Sequence, residues 1–194
     1  MIIVTLLLTA LAGVRGNLEI TEEAVYQAVY TVADSIAGYE IESLFISVEG
    51  GHDGAWLVSQ SVTDLLSSRG VNVVSERSER EGNRLIIRPM QLGVVYGGFE
   101  RSWFLGSRRL RRSAICSLSF TLADGSGTVL NTWRSEGLVE DTVSPDQSSV
   151  YEHRTEKWVN DTLPGNTGNK VLEPIVVTGV VAALIYLFYS SRAD

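Results

Sequence analysis

The chain has little cysteine, histidine or proline. Its 194 residues include one cysteine, two histidines and four prolines. A single cysteine excludes an intramolecular disulfide, and Cys116 stands in a strand-like pattern typical of a small buried apolar residue. The formal net charge of −7 argues against a general nucleic-acid binder. We therefore expect one ordinary domain with a core of its own and no nucleic-acid partner.

Recognisable patterns of catalytic and metal-binding residues are also missing. His52 and His153 are not in metal-ligand spacing with each other or with cysteine, and no Gly-x-Ser-x-Gly elbow occurs. We therefore predict no metal, no cofactor, no catalytic residue and no enzymatic activity. One alternative stays open, a small hydrolase or ligand-binding enzyme that uses His52 and Asp53, or His153, in a cleft.

Two apolar stretches lie at opposite ends of the chain. The first, residues 2–13, has the length of a signal-peptide core and contains Ala10-Leu11-Ala12, a small-x-small cleavage pattern. Val14 stands where a lipobox would have its cysteine. We predict that residues 1–13 are a signal peptide or an N-terminal apolar segment. The alternatives are an uncleaved helix or a buried first strand.

The second apolar stretch, residues 175–189, contains no charged residue. We predict a transmembrane helix at 171–190 and a short cytoplasmic tail at 191–194, with the main domain periplasmic and the protein anchored in the cell membrane by a single pass. The alternative is a buried C-terminal helix of a soluble domain. Small residues inside the stretch are predicted to pack against another membrane helix: Gly179, Ala182 and Ala183.

The region between these stretches has α/β patterning. Apolar residues recur at helical spacing over 24–36 and 55–66, with Thr21 and Asp53 as the expected caps. Five strands are expected, at 44–48, 71–74, 84–96, 110–122 and 128–139. The passage from 44 to 75 predicts two parallel strands joined by a helical crossover.

Strand 110–122 alternates apolar residues with arginines and hydroxyl residues, so we expect helices on one face and solvent or a partner on the other. Pro89 indicates an edge strand or a bulge. The predicted fold class is α+β, with two helices packed on a mixed, largely antiparallel sheet, plus a single C-terminal transmembrane helix. Residues 17–145 are the predicted extracytoplasmic domain. Residues 146–170 are a polar helix, over 147–159, and a juxtamembrane linker.

Basic residues are concentrated in one short segment. Five of the sixteen lysines and arginines lie within residues 101–112, among aromatic residues. Guanidinium groups bind phosphates and carboxylates, so we predict a site for a partner or an anion, such as an anionic lipid, lipopolysaccharide or an acidic protein face. The alternative is a solvated loop paired with the domain's own carboxylates. The candidate residues are Phe99, Arg101, Trp103, Phe104, Arg108, Arg109, Arg111 and Arg112.

The elements follow the order helix, strand, helix, strand and long strands. The second helix ends Leu65-Leu66-Ser67-Ser68-Arg69-Gly70, and the next strand reads Val71-Asn72-Val73-Val74. Over residues 20–140 the chain resembles small periplasmic α/β domains of bacterial envelope-assembly proteins, such as LptE, CsgG and the N-terminal domain of TolB. The resemblance implies an assembly factor without enzymatic activity. We therefore predict a membrane-anchored, non-enzymatic binding or assembly domain, an accessory subunit whose partners are other membrane or envelope proteins.

Overall fold

A computed structural model describes residues 14–39, 41, 43–74, 82–101 and 107–161, without the side chain of Arg101. The helices are α1 (Asn17–Ala37), α2 (Ala55–Ser68) and α3 (Ser148–Tyr151). The strands are β1 (Leu44–Val48), β2 (Val73–Val74), β3 (Asn83–Arg101), β4 (Arg108–Ala123) and β5 (Val129–Val143). Two 3₁₀ turns follow β5, at Pro145–Gln147 and Lys157–Val159.

The five described strands form one mixed sheet in the order β2-β1-β3-β4-β5. Strand β1 is parallel to β2 and β3, and β3, β4 and β5 are antiparallel neighbours. The predicted parallel crossover over 44–75 is therefore confirmed, with α2 as its helix. Pro89 lies on the interior strand β3, next to a register shift between Pro89 and Gln91. A bulge accommodates this proline, so the bulge is confirmed of the two predicted alternatives and the edge position is not.

The structure corrects the predicted fold class, two helices on a mixed sheet plus a single C-terminal transmembrane helix. The described residues form three α-helices, and none of these is long and apolar enough to cross a membrane. The longest, α1, carries glutamates at 19, 22 and 23 and is therefore a surface helix with one apolar face. The predicted span at 171–190, the segment 1–13 and residues 162–170 and 191–194 lie outside the described residues.

Helix boundaries differ from the expected ones where side chains bond to the backbone. Helix α1 begins at Asn17 rather than after Thr21, and the Glu19 carboxylate accepts a hydrogen bond from the Gly16 N–H at 3.3 Å. The expected cap Thr21 lies inside the helix. Its hydroxyl donates to the carbonyl of Asn17. An acidic residue in the first turn satisfies a free amide and extends the helix backward.

The predicted polar helix at 147–159 is wrong. Helix α3 ends at Tyr151, and the chain turns at His153 because Asn160 binds it on both sides. The Asn160 side chain accepts a hydrogen bond from the His153 N–H at 3.0 Å and donates to the His153 carbonyl at 2.7 Å. Side-chain bonds of this kind compete with helical hydrogen bonds, which the periodicity of a polar segment does not reveal.

The core lies between α1, α2 and one face of the sheet. Helix α1 packs over β4 and β5, and its contact face is apolar. The alternation expected for β4 is confirmed, because the side chains predicted to point inward are all buried: Leu110, Ala114, Cys116, Leu118, Phe120 and Leu122. Among the described residues, the helices cover this face and leave the opposite face of the sheet open.

Candidate functional site

The predicted arginine and aromatic segment lies at one end of the β3–β4 hairpin. In the antiparallel register Phe99 is opposite Leu110, Glu100 is opposite Arg109, and Arg101 is opposite Arg108. The fold therefore brings the two ends of the segment together. Residues 102–106, with the candidates Trp103 and Phe104, lie outside the described residues. We call the strand ends 99–101 and 108–111 the hairpin end.

Two guanidinium groups of the hairpin end are exposed. Side chains alternate along β4, so Arg109 and Arg111 lie on the open face of the sheet, opposite to buried Leu110. Arg111 Nη1 is 3.8 Å from the Glu100 carboxylate, and both side chains are more than half exposed. A surface ion pair of this length contributes less than about 1 kcal/mol, so Arg111 can exchange it for a carboxylate of a partner.

Phe99 and Arg108 form the other side of the hairpin end. The guanidinium carbon of Arg108 lies 5.3 Å from the centre of the Phe99 ring, and both residues are half-buried. A cation–π contact at this exposure contributes about 0.5–1 kcal/mol. By the alternation of β4, this third positive charge lies on the face of Leu110, opposite to the face that carries Arg109 and Arg111.

Arg112 was predicted to belong to the partner- or anion-binding site, and the structure corrects this prediction, because the residue is fully buried. Its Nε donates to Asp141 Oδ1 at 2.6 Å, and its Nη2 donates to Asp141 Oδ2 at 2.8 Å. A buried guanidinium needs such bidentate pairing, since an uncompensated charge in the interior is costly. Arg112 is therefore part of the fold and is not available to a partner.

Further contacts of Arg112 join four parts of the chain. Its Nη1 donates to Asn17 Oδ1 at 2.8 Å, and its Nη2 donates to the Arg15 carbonyl at 2.6 Å. Its guanidinium carbon lies 5.2 Å from the centre of the Tyr151 ring. The start of α1, β4, β5 and α3 thus meet at one buried charge.

Two tyrosines complete this buried network. Asn17 donates from its Nδ2 to the Tyr96 hydroxyl at 2.8 Å and to Asn160 Oδ1 at 3.0 Å. Burial raises the pKa of Tyr96, although its hydrogen bond to Asn17 acts in the opposite direction. Burial also raises the pKa of Tyr151 to about 12. Both phenols therefore hold their protons at neutral pH, and the network is suited to docking residues 144–161 against the sheet.

The two histidines of the enzyme alternative both take part in local turns. His52 Nδ1 accepts a hydrogen bond from the Gly54 N–H at 2.9 Å, and His153 Nδ1 accepts one from the Glu156 N–H at 2.9 Å. The ring centres of His52 and Trp158 are 5.3 Å apart, and Trp158 Nε1 donates to Glu156 Oε2. His52, rather than the expected Asp53, thus satisfies an amide at the start of α2. The enzyme alternative stays a prediction.

Two surface grooves lie away from the hairpin end. One, with a volume of about 460 Å³, lies between α1 and α2 and is mainly acidic. The other, of about 480 Å³, adjoins α3 and is lined by Glu152, His153, Arg154 and Lys157 among others. Within the described part of the chain, no group of three histidine, cysteine, aspartate or glutamate side chains is placed to hold a metal ion.

Arg112 was predicted to be part of the binding site, although the alternation of side chains along β4 indicates that it is buried. Arg112 has the same parity as Leu110 and Ala114, so strict alternation puts it on the core side of β4. Its partners Asn17 and Asp141 have no local signature. The membrane-packing candidates Gly179, Ala182 and Ala183 lie outside the described residues and stay predictions.

Comparisons with known proteins give no family for this chain. Neither protein-family models nor curated proteins match it. Among solved structures, a minor lipoprotein from Acinetobacter baumannii is 10% identical, with a TM-score of 0.33, over 78% of this chain and 94% of that one. Lipoprotein B from Nitrosomonas europaea is 13% identical, with a TM-score of 0.36, over 59% and 70%.

A third structure, lipoprotein GNA1162 from Neisseria meningitidis, is 14% identical, with a TM-score of 0.32, over 74% of this chain and 98% of that one. All three are bacterial lipoproteins. Similarity at these scores carries no argument about the fold or the function of this chain. The resemblance to LptE, CsgG and TolB therefore stays a prediction.

Proposed function

We propose that this chain is a non-enzymatic binding domain of the bacterial cell envelope, which attaches to an acidic face of a partner protein through its hairpin end. The observation that most directly supports this proposal is that Arg109 and Arg111 are both exposed on the open face of the sheet. The signal-like residues 1–13 support an extracytoplasmic location. In this role the chain is an accessory subunit or an assembly factor of other envelope proteins.

The charge pattern of the hairpin end favours a protein over a lipid surface. Glu100 is opposite Arg109 in the register, and its carboxylate is 3.8 Å from Arg111 Nη1, so the arginines of this surface have a carboxylate among them. A protein face with carboxylates and a few cations complements this alternation. A uniformly anionic lipid surface would repel the Glu100 carboxylate. Anionic lipid and lipopolysaccharide are therefore the alternatives that the test must separate.

The distribution of charge, rather than the net charge, favours an encounter at the hairpin end, because an acidic partner is repelled by the net negative chain and attracted by its arginine segment. The whole chain has a formal charge of −7, and the arginine segment is a local reversal of that sign. Attraction between exposed charges decays within about 8 Å at physiological ionic strength. Binding through Arg109 and Arg111 should therefore weaken strongly as salt concentration rises, mainly through the association rate.

The decisive experiment is site-specific photo-crosslinking of the full chain in its native bacterium. A photoreactive phenylalanine analogue replaces Arg109 in one variant and exposed Arg154 in the control. We expect a defined protein adduct from position 109 only, attached to an acidic peptide of the partner and lost in the R111E background. An R154E background should leave the adduct intact.

A second measurement separates protein from lipid. Co-sedimentation with vesicles of phosphatidylglycerol and phosphatidylcholine compares R109E/R111E with R154E/K157E, which makes the same change in charge at exposed positions. Vesicle binding that disappears only in R109E/R111E, without any protein adduct, would overturn the protein partner in favour of a lipid. The absence of both signals would overturn the role of the hairpin end.

A further inference from the structure

Strand β5 is an edge of the sheet, and no described strand pairs with its outer side. Its fifteen residues span about 50 Å at 3.4 Å per residue. The Thr132 N–H donates to the side chain of Asn131 at 2.8 Å. The Thr132 amide therefore points away from β4, to the outer side of β5. Because backbone groups alternate along a strand, the amides of Arg134 and Glu136 point to the outer side as well. An edge of this kind is a template for another strand.

Strand β5 carries opposite charges at equal distances on the two sides of Ser135. Arg134 and Glu136 are both exposed on the open face, on either side of Ser135. If a second β5 pairs antiparallel with its two-fold axis at Ser135, each Arg134 lies opposite the Glu136 of the other copy. An axis at 134 or at 136 would instead place like charges opposite each other, which is unfavourable. Electrostatics therefore selects one register.

Ser135 provides an independent reason for the same register. Its side chain is only 6% exposed, and its hydroxyl has no hydrogen-bond partner within the described part of the chain. Buried hydroxyl groups in native proteins are nearly always paired. With the axis at Ser135 the two Ser135 residues lie directly opposite, at a Cα separation of about 4.5 Å for a non-hydrogen-bonded pair. Because each Oγ is covered in the single copy, the two hydroxyls meet after rotation about the Cα–Cβ bond of Ser135.

We propose that two copies of this chain pair β5 with β5 in antiparallel orientation, with the two-fold axis at Ser135, and thereby join their sheets into one. This isologous contact closes on itself and uses the same strand from both copies. The hairpin ends then lie at opposite ends of the paired strands, because each adjoins the C-terminal end of its own β5, with Leu110 opposite Val143. The inference goes beyond the proposed function and does not depend on it.

The first test is a charge swap in the full-length chain, kept soluble in a mild non-ionic detergent. Light scattering coupled to size-exclusion chromatography measures dimerisation over a concentration series for wild type, R134E, E136R and the double variant. We expect about a tenfold weaker dimer for each single variant and recovery in the double variant. E140R is the matched control, since residue 140 lies opposite Leu130 in this register and should leave dimerisation unchanged.

The second test fixes the register by disulfide formation. S135C should cross-link to itself under mild oxidation, whereas R134C and E136C should not, and a mixture of those two should form the heterodimer. Native Cys116 can stay in place because it is buried. The exposed R134E and E136R variants keep the proposal falsifiable if S135C fails to fold.

A monomeric wild type, self-linking of R134C, or failure of the double charge swap to restore the dimer would each overturn the proposal. Protection of the β5 edge by residues 163–194 or by another protein would appear as a monomeric wild type. The test leaves Arg109 and Arg111 unchanged, so its failure and failure of the proposed function are distinguishable.

Discussion

Gly137 of β5 lies directly against Ala24 of α1. A Cβ atom at Gly137 would lie 1.9 Å from the Ala24 carbonyl oxygen and 3.0 Å from the Ala28 amide nitrogen. The obstacle is helix backbone, which cannot turn away as a flexible side chain can. Glycine at this position therefore sets how closely the longest helix approaches the edge strand.

We expect G137A to lower the free energy of unfolding by about 3 kcal/mol, because α1 must move off β5 to admit one methyl group. Urea unfolding followed by circular dichroism measures the change. G98A is the matched control on β3, since a Cβ there meets nothing within 4 Å. A G137A protein as stable as G98A would contradict the close contact between α1 and β5.

Loss of the ion pair between Arg112 and Asp141 should lower the stability of the fold. We expect D141N to lower the free energy of unfolding by about 3 kcal/mol, because it leaves the fully buried Arg112 guanidinium without its counter-charge. We expect R112A to lower it by a similar amount, because it removes the hydrogen bonds to Asp141, Asn17 and the Arg15 carbonyl. R112K should rescue little, since lysine cannot bind a carboxylate with two parallel hydrogen bonds. The exposed neighbour variant R111A should change stability by less than about 0.5 kcal/mol. Equal effects of R111A and R112A would contradict this assignment.

Alkaline pH should weaken the fold through Tyr151. Burial raises its folded-state pKa to about 12, above the ordinary value of 10.0. Unfolded chains therefore release this proton at a lower pH than folded ones. The stabilisation is fully present below pH 10.0 and is lost as pH rises towards 12. Urea unfolding at a series of pH values should show a decline that is shallower in Y151F.

We also predict the stability of the Y151F variant at neutral pH. The Tyr151 hydroxyl is buried and has no hydrogen-bond partner among the residues that the structure describes. Its removal therefore costs no described hydrogen bond and relieves an unsatisfied polar group. We expect Y151F to be as stable as wild type or more stable. A loss of more than about 1 kcal/mol would show that the hydroxyl has a partner.

Cys116 should be unreactive in the folded protein. It is fully buried on β4, and burial raises the pKa of its thiol to about 12. A thiol in this state forms little of the thiolate that reacts with disulfide reagents. We expect 5,5′-dithiobis(2-nitrobenzoate) to modify Cys116 only when urea unfolds the chain. Rapid modification of the native protein would show that this part of the core opens.

Sequence patterns predicted the elements whose signals are local. The period of apolar residues located α1, α2 and the alternating strand β4, and glycine punctuation located the crossover from β1 to β2. The helix expected at 147–159 failed because its end depends on hydrogen bonds between Asn160 and His153. Such bonds are a matter of side-chain geometry, which periodicity does not encode.

At the hairpin end, too, the sequence located the residues and the tertiary structure decided which of them are exposed. The sequence alone showed that arginines and aromatic residues are concentrated at 99–112, and the register of β3 with β4 showed which of them share a surface. Arg109 and Arg111 stayed candidates because they are exposed. Arg112 did not, because tertiary packing buries it against residues from other elements.

The amino-acid sequence by itself determined helices α1 and α2, the strand segments and which face of β4 points inward, because these are properties of neighbouring residues. Tertiary structure alone decided which groups meet Arg112. Its hydrogen-bond partners Asp141 and Asn17 are 29 and 95 residues away along the chain. Only the pairing of β4 with β5 and the seating of α1 on the sheet bring them together. A buried charge is stable only where long-range packing supplies its counter-charge.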